Sequence, residues 1–290
     1  MQIRFQPSLV LCLLVAGALA QVTDADLPPC SLSCFDPYPP QNDSSSSCRY
    51  KAEEDFETTF SPCFYSACSV KEALTALNVT SIICGVPDRN ISVGMRIFVV
   101  VATVVSSLVI GCRVILKFKS LAGDIGWDDW TIVIAVLVTL DAAVGQYMAA
   151  HYGMGRDAWK IPFENQDKIF KAFYASAAGY KLGNMFVRTS ILCFYLRIFS
   201  NSGFRWVVIA AIMANVAIGV AFTLADAFQC KPISFFWNEW DGMHKGSCLS
   251  ISTITWAHSI LNILLDVATL AMLAIMLAHD PQRYQHQKWI

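Results

Sequence analysis

Six ionisable or strongly polar residues stand inside stretches otherwise too apolar for water: Asp141, Lys181, Arg188, His258, Asn262 and Asp266. A charge at the centre of a bilayer costs roughly 3 kcal/mol, so it is retained where a neighbouring helix neutralises it or where it serves a ligand pocket, a pathway or a switch. Asp141, Lys181 and Asp266 are expected near mid-depth and Arg188 a few residues closer to the inner face, so two acids face two bases. Structural pairing and a ligand-responsive switch both follow from that pattern, and the residues alone leave both open. His258, Asn262 and Asp266 recur at i, i+4 and i+8, which aligns them on one helix face. A single His with a carboxylate two turns away reads as a hydrogen-bond chain, and no metal site is expected.

The second chemistry is that of cysteine. Of the eleven cysteines, Cys30, Cys34, Cys48, Cys63, Cys68 and Cys84 crowd into one short segment, and Cys230 and Cys248 share a later loop. The segment from 21 to 90 has no His, so disulfides are expected there rather than zinc. Sequence does not choose among the connectivities of the six. A Cys230–Cys248 bridge would contribute about 3 kcal/mol by chain entropy. Cys112 and Cys193 fall at helix ends and read as buried thiols.

These groups need two kinds of scaffold. Residues 1–20 have one arginine, an apolar core and Ala18-Leu19-Ala20, the pattern of a cleavable secretory signal. Residues 21–90 form an exported module, with sequons at Asn42, Asn78 and Asn90. Ser69 with Glu72 three residues later marks the start of one short helix in it. A module this small relies on its disulfides, each contributing about 2 to 4 kcal/mol. Residues 95–290 hold about five candidate spans, 97–116, 130–150, 170–199, 206–228 and 251–277. The expected fold is therefore an all-α membrane protein, a small disulfide-rich module followed by a bundle of about five transmembrane helices. Basic residues divide almost evenly between the two sides, so orientation rests on the signal and the disulfides.

Composition agrees: the chain of 290 residues is 55% hydrophobic and 15% charged. Its net charge of -1 gives no field for nucleic acid, and membrane lipid is the partner implied. Asp128 and Asp129 in "GWDDW" fall in the first turn of the second span, where the helix dipole favours carboxylates. There is no phosphate loop, no GxSxG elbow, no HExxH and no dinucleotide fingerprint, so no catalytic residue is assigned and no enzyme is expected.

"LPPCSLSC" and "SPCFYSACSVKEALTALNVTSIICG" resemble the fungal CFEM module over residues 27 to 85. The resemblance implies an extracellular cysteine-rich domain, usually with eight cysteines and, in haem-binding members, an axial Asp. This chain lacks the C-x-C pair, and the Asp position falls near Ala52, with Asp55 out of register. Haem is thus offered by resemblance while its ligand motif is missing, and no cofactor is expected.

The rest resembles the fungal rhodopsin-like membrane domain of receptor-like proteins. The residues carrying it are Arg113, "GWDDW", "YGMGRD" from Tyr152, "SILCFYLRIF" from Ser190, "CKPISFFW" from Cys230 with Cys248, and "NILLD" from Asn262 to Asp266. Relatives have seven spans and a cytoplasmic tail, so a C-terminally truncated product is expected. The resemblance implies a plasma-membrane receptor sensing an extracellular or host-surface cue, with an unknown extracellular ligand and a heterotrimeric G protein as partners. Haem or iron acquisition and a small transporter or scaffold are the alternatives.

Overall fold

The computed structural model describes residues 26–35, 53–119, 125–199 and 202–279, without the side chains of 53–59, 276, 277 and 279. The signal segment 1–20, the sequon at Asn42, and Cys48 lie outside the described residues. Backbone contacts divide the chain into two compact units, one running to Asp88 and taking in Ala158–Lys160, the other holding Arg89–Asp157 and the chain from Ile161 onward.

In the first unit a 3-10 turn, Pro29–Cys34, precedes helices α1, Glu53–Ala67, and α2, Val70–Ile83. Disulfides Cys30–Cys68 and Cys34–Cys63 tie the turn to the end of α1, and Cys84 is disulfide-bonded as well. The core is Phe60, Phe64, Ala73, Ala76 and Leu77, with Trp159 packed against it. The Ser69 signal is realised: its backbone N–H (3.1 Å) and its hydroxyl (2.7 Å) both donate to the Glu72 carboxylate. Those bonds hold the Glu72 carboxyl below the usual range, the side-chain bond being the largest cause.

The sequence reading expects one helix here, and the structure has two. Helix α1 runs through Pro62, which removes a backbone donor at a cost of about 3 kcal/mol. Phe60 and Phe64, 4% and 0% exposed, lie on either side of that proline and bury enough ring surface to offset it.

The second unit is built on α3, Ser92–Phe118; α4, Trp127–Tyr152; α5, Phe163–Ile198; α6, Ser202–Ala227; and α8, Ile251–His279. Between α6 and α8 lie strand β1, Cys230–Lys231, the short helix α7, Phe235–Asn238, and strand β2, Ser247–Cys248. Among the described residues α3, α4, α6 and α8 are long and apolar enough to cross a membrane. Helix α5, expected as the span 170–199, is 36 residues long and carries Lys181 and Arg188 inward, both buried. It is too polar to be recognised as a span by its own composition. Its charges are covered by neighbouring helices, which its amino-acid content does not reveal.

Small residues let α4 and α5 approach closely. A Cβ placed on Gly145 would stand 2.9 Å from the Ala172 carbonyl oxygen and 2.9 Å from Ser176 Cβ, and one on Gly179 would stand 3.1 Å from Ala142 Cβ. Membrane helices gain no hydrophobic drive against lipid, so this backbone proximity supplies dispersion contact instead. Beyond α6, β1 pairs antiparallel with β2, and the Cys230–Cys248 disulfide joins the paired positions. Cys230, Phe235 and Phe236 form a small core against Phe170 and Tyr174 of α5.

Candidate functional site

The polar residues of the spans assemble around Arg188 of α5, which is 7% exposed. Its Nη1 donates to Asn215 Oδ1 of α6 (3.1 Å) and to Asn262 Oδ1 of α8 (2.9 Å). Nε and Nη2 both donate to Asp266 Oδ1, at 3.0 and 2.7 Å. Asn215 is positioned from its other end, its amide donating to the Met185 carbonyl (2.9 Å) and the Thr189 hydroxyl (3.1 Å). One guanidinium thus binds three helices together, which suits the planar five-donor fork of arginine.

His258 is 4% exposed. Asn262, one turn along, donates to its backbone carbonyl (2.9 Å) and places its amide 2.8 Å from the ring nitrogen Nε2. The His258 ring centroid also lies 5.2 Å from that of Phe222. The i, i+4, i+8 alignment expected for His258, Asn262 and Asp266 therefore lies along α8 towards Arg188. A cavity of about 510 Å³ opens beside this array, lined by Tyr180, Asn184, Arg188, His258, Asn262 and Asp266 among others. The Asp266 side chain is 62% exposed and borders it, while Arg188 is buried behind.

Lys181 takes a different partner from the one its sequence neighbours suggest. It forms an ion pair with Asp226 of α6, both side chains being buried, and its ammonium also lies 5.9 Å from the Phe222 ring centroid. Asp141 is exposed and makes no ion pair or hydrogen bond among the described residues. Of the two acids and two bases expected to face one another, Asp266 meets Arg188, whereas Lys181 turns to Asp226 of α6 and Asp141 pairs with neither base. Asp226 escaped notice because it sits in the last turn of its helix, away from the apolar centre where a charge stands out. Asn215 had a visible signal, a lone amide in the middle of an apolar helix.

A second charged assembly sits at the N-terminal end of α4. Asp128 and Asp129 are 2% and 5% exposed. Arg113 reaches Asp128 at 2.7 Å, Lys117 reaches Asp129 at 2.7 Å and Asp128 at 3.1 Å, and Arg197 reaches Asp128 at 3.4 Å. Asp129 also accepts from the Gly126 N–H (3.0 Å), and the Ser190 hydroxyl donates to the Asp128 carbonyl (2.6 Å). The helix-dipole reading of "GWDDW" covers only the Gly126 bond. Three cations from α3 and α5 make the same acids a clamp between helices.

The other expected sites divide. The Cys30, Cys34, Cys63, Cys68, Cys84, Cys230 and Cys248 sulfurs are all in disulfides. Cys112, expected to be buried, is an exposed free thiol, and Cys193 is a half-buried one. Asn78 sits in α2 beside Thr80, the other end of its sequon, which is fully buried. Asn90 uses its side-chain oxygen to accept from the Ser92 N–H (3.2 Å) and hydroxyl (2.7 Å) at the start of α3.

For haem, the Asp55 side chain lies outside those described, and several other candidate ligands of the first unit are already engaged. Its described cysteines are oxidised, Glu72 is bonded to Ser69, and Asp88 is paired with Lys160 at 3.4 Å. Ala52 lies outside the described residues. No group of three or more His, Cys, Asp or Glu side chains able to hold a metal occurs among those described.

Two family models match the chain: the fungal rhodopsin domain over residues 112–289 and the CFEM domain over residues 23–85. Among curated proteins it is 23% identical to Wortmanamides biosynthesis cluster protein C of Talaromyces wortmannii, over 66% of this chain and 53% of that one. It is 26% identical to Polyenoic acids biosynthesis gene cluster protein Ba17b of Metarhizium anisopliae, over 61% of this chain and 49% of that one. A third relative, Satratoxin biosynthesis SC1 cluster protein 4 of Stachybotrys chartarum, is 31% identical over 38% of this chain and 40% of its own length. The chain spans about half the length of the curated relatives it matches first. No solved structure matches it.

Proposed function

Because the chain belongs to the fungal rhodopsin domain family and carries a CFEM domain ahead of that region, we propose that it is a receptor-like sensor of the fungal plasma membrane. In this reading the CFEM module meets an extracellular or host-surface cue, and the helix bundle changes arrangement in response. The observation that carries it is Arg188, a buried cation whose hydrogen bonds are shared among α5, α6 and α8 beside an open cavity.

A ligand shifts a protein between two arrangements only by binding one better than the other. Arg188 provides such a difference. A small displacement of α8 withdraws Asp266 and Asn262, and the guanidinium must find replacements or bear an unpaired charge in the bilayer, at roughly 3 kcal/mol. A group entering the cavity with its own hydrogen-bond acceptor supplies the replacement and favours the displaced arrangement. The Lys181–Asp226 pair and the Asp128–Asp129 clamp are the fixed points against which α8 moves. A heterotrimeric G protein is the partner such a movement would address.

The names of the relatives favour a second reading, a membrane component serving a biosynthetic gene cluster, and a buried ion pair also suits a small transporter. Parallel assays separate the two: a second-messenger change on exposing fungal cells to the cue supports the sensor, and solute uptake without such a change supports the transporter.

A further inference from the structure

A second cavity, of about 350 Å³, lies at the other end of the helices, where α3 begins, α4 ends and α5 begins. Its lining includes Asn90, Arg96, His151, Arg156 and Asn165, and no Asp or Glu. Neither arginine has an acidic partner among the described residues. The acid nearest in sequence, Asp157, is taken by Arg89, whose Nε donates to it at 3.1 Å. Arg96 Nε is buried with no hydrogen-bond partner. Arg96 is half-buried overall, and its Nε is a donor open to a group entering the cavity.

The backbone adds to the same polarity. Ser92 and Val93 open α3, and Pro162 with Asn165 opens α5, so the partial positive ends of two helices border the cavity, although the Ser92 and Asn165 N–H groups are already bonded to Asn90 and Pro162. At the opposing end of α4 the Ala149 carbonyl accepts from both the Gly153 and Met154 N–H groups. Gly153 and Gly155, at φ 121 and 92, turn the chain back so that Arg156 follows directly.

We propose that this cavity binds a phosphate-type anion, held by Arg96 and Arg156 in the bidentate manner that guanidinium groups favour. Its two sources are the headgroup of an anionic lipid, since the site is at the ends of membrane-crossing helices, and a soluble phosphorylated ligand. The site uses none of the Arg188 residues and stands independently of the receptor reading.

The test uses the purified full chain in neutral detergent, with phosphatidylglycerol and phosphatidylcholine as lipid probes in native mass spectrometry and inorganic phosphate as the soluble probe in thermal unfolding. The lipid source predicts preferential retention of phosphatidylglycerol that phosphate does not displace. The soluble source predicts saturable stabilisation by phosphate and displacement of the lipid. In either case Arg156→Gln, at an exposed position that leaves the fold intact, should weaken binding by about tenfold or more, Arg96→Gln should do so further, and Arg96→Lys should restore part of it. Lys245→Gln, an exposed cation outside the cavity, should change nothing. Equal retention of both lipids with no phosphate effect in the unaltered chain would overturn the proposal, as would an equal loss in the Lys245→Gln and Arg156→Gln variants.

Discussion

Arg188 Nε and Nη2 converge on a single oxygen of Asp266, at 3.0 and 2.7 Å, so that a carboxylate bordering a cavity anchors a cation buried behind it. The geometry makes the pair asymmetric. Asp266 can find other partners in the cavity, whereas Arg188 depends on those it has.

Removing the acid, which strands a buried cation, should therefore cost more than replacing the cation with a neutral side chain. Asp266→Ala leaves the buried Arg188 guanidinium without its carboxylate and is expected to destabilise by about 3 kcal/mol, in the range for a broken buried pair. Arg188→Met removes the buried charge itself and leaves Asp266 facing the cavity, and should cost about half as much. Thermal unfolding of the two single variants and the double variant gives the coupling, expected at about 1 kcal/mol or more. Equal losses in both singles, with no coupling, would mean that the two residues act apart.

Lys181 is neutralised by Asp226, and Asp141 stands clear. Asp226→Asn should lower stability by a few kcal/mol, and the exchanged pair, Lys181→Asp with Asp226→Lys, should recover part of it. Asp141→Asn should stay within about 0.5 kcal/mol. The same unfolding assay compares them, and an Asp141 effect larger than that of Asp226 would reverse the assignment.

Close approach of α4 and α5 depends on Gly145. Gly145→Val puts methyl groups where the Ala172 carbonyl and Ser176 already stand, and overpacking of this kind costs about 1 to 3 kcal/mol. Gly111→Val on α3, where a Cβ would meet nothing within 4 Å, is the matched control. A smaller loss at Gly145 than at Gly111 would show that the two helices do not need their proximity.

Glu72 gives the CFEM domain a pH dependence. Its folded-state pKa lies below that of a free glutamate, about 4.3, because Ser69 bonds to its ionised form. That contribution is present above the unfolded value and disappears as pH falls through the depressed folded value. Amide exchange in the first turn of α2 should accelerate across this acid window and lose that dependence in Glu72→Gln. Identical profiles in the two proteins would remove the capping role.

Much of this was legible because its signals are local. Ser69 and Glu72 are three residues apart, His258, Asn262 and Asp266 share one helix face, and Cys230 and Cys248 share one loop. What escaped depends on residues that come together only when helices pack. Asp128 meets Arg113 and Arg197 from opposite directions along the chain, and Asp226 meets Lys181 across two helices. Helix α1 continues through Pro62 because Phe60 and Phe64 find a core that composition does not announce. Long-range pairing of this kind leaves no period in the sequence.

The central claim, that the Arg188 array switches in response to an outer cue, is tested most directly by the second-messenger response of fungal cells carrying Asp266→Asn at the same plasma-membrane level as the unaltered protein. The account predicts that the unaltered protein responds to surface or host contact while Asp266→Asn, whose resting tie to Arg188 is already weakened, shows no contact-dependent change. A full response from Asp266→Asn, or solute uptake in place of any second-messenger change, would contradict it.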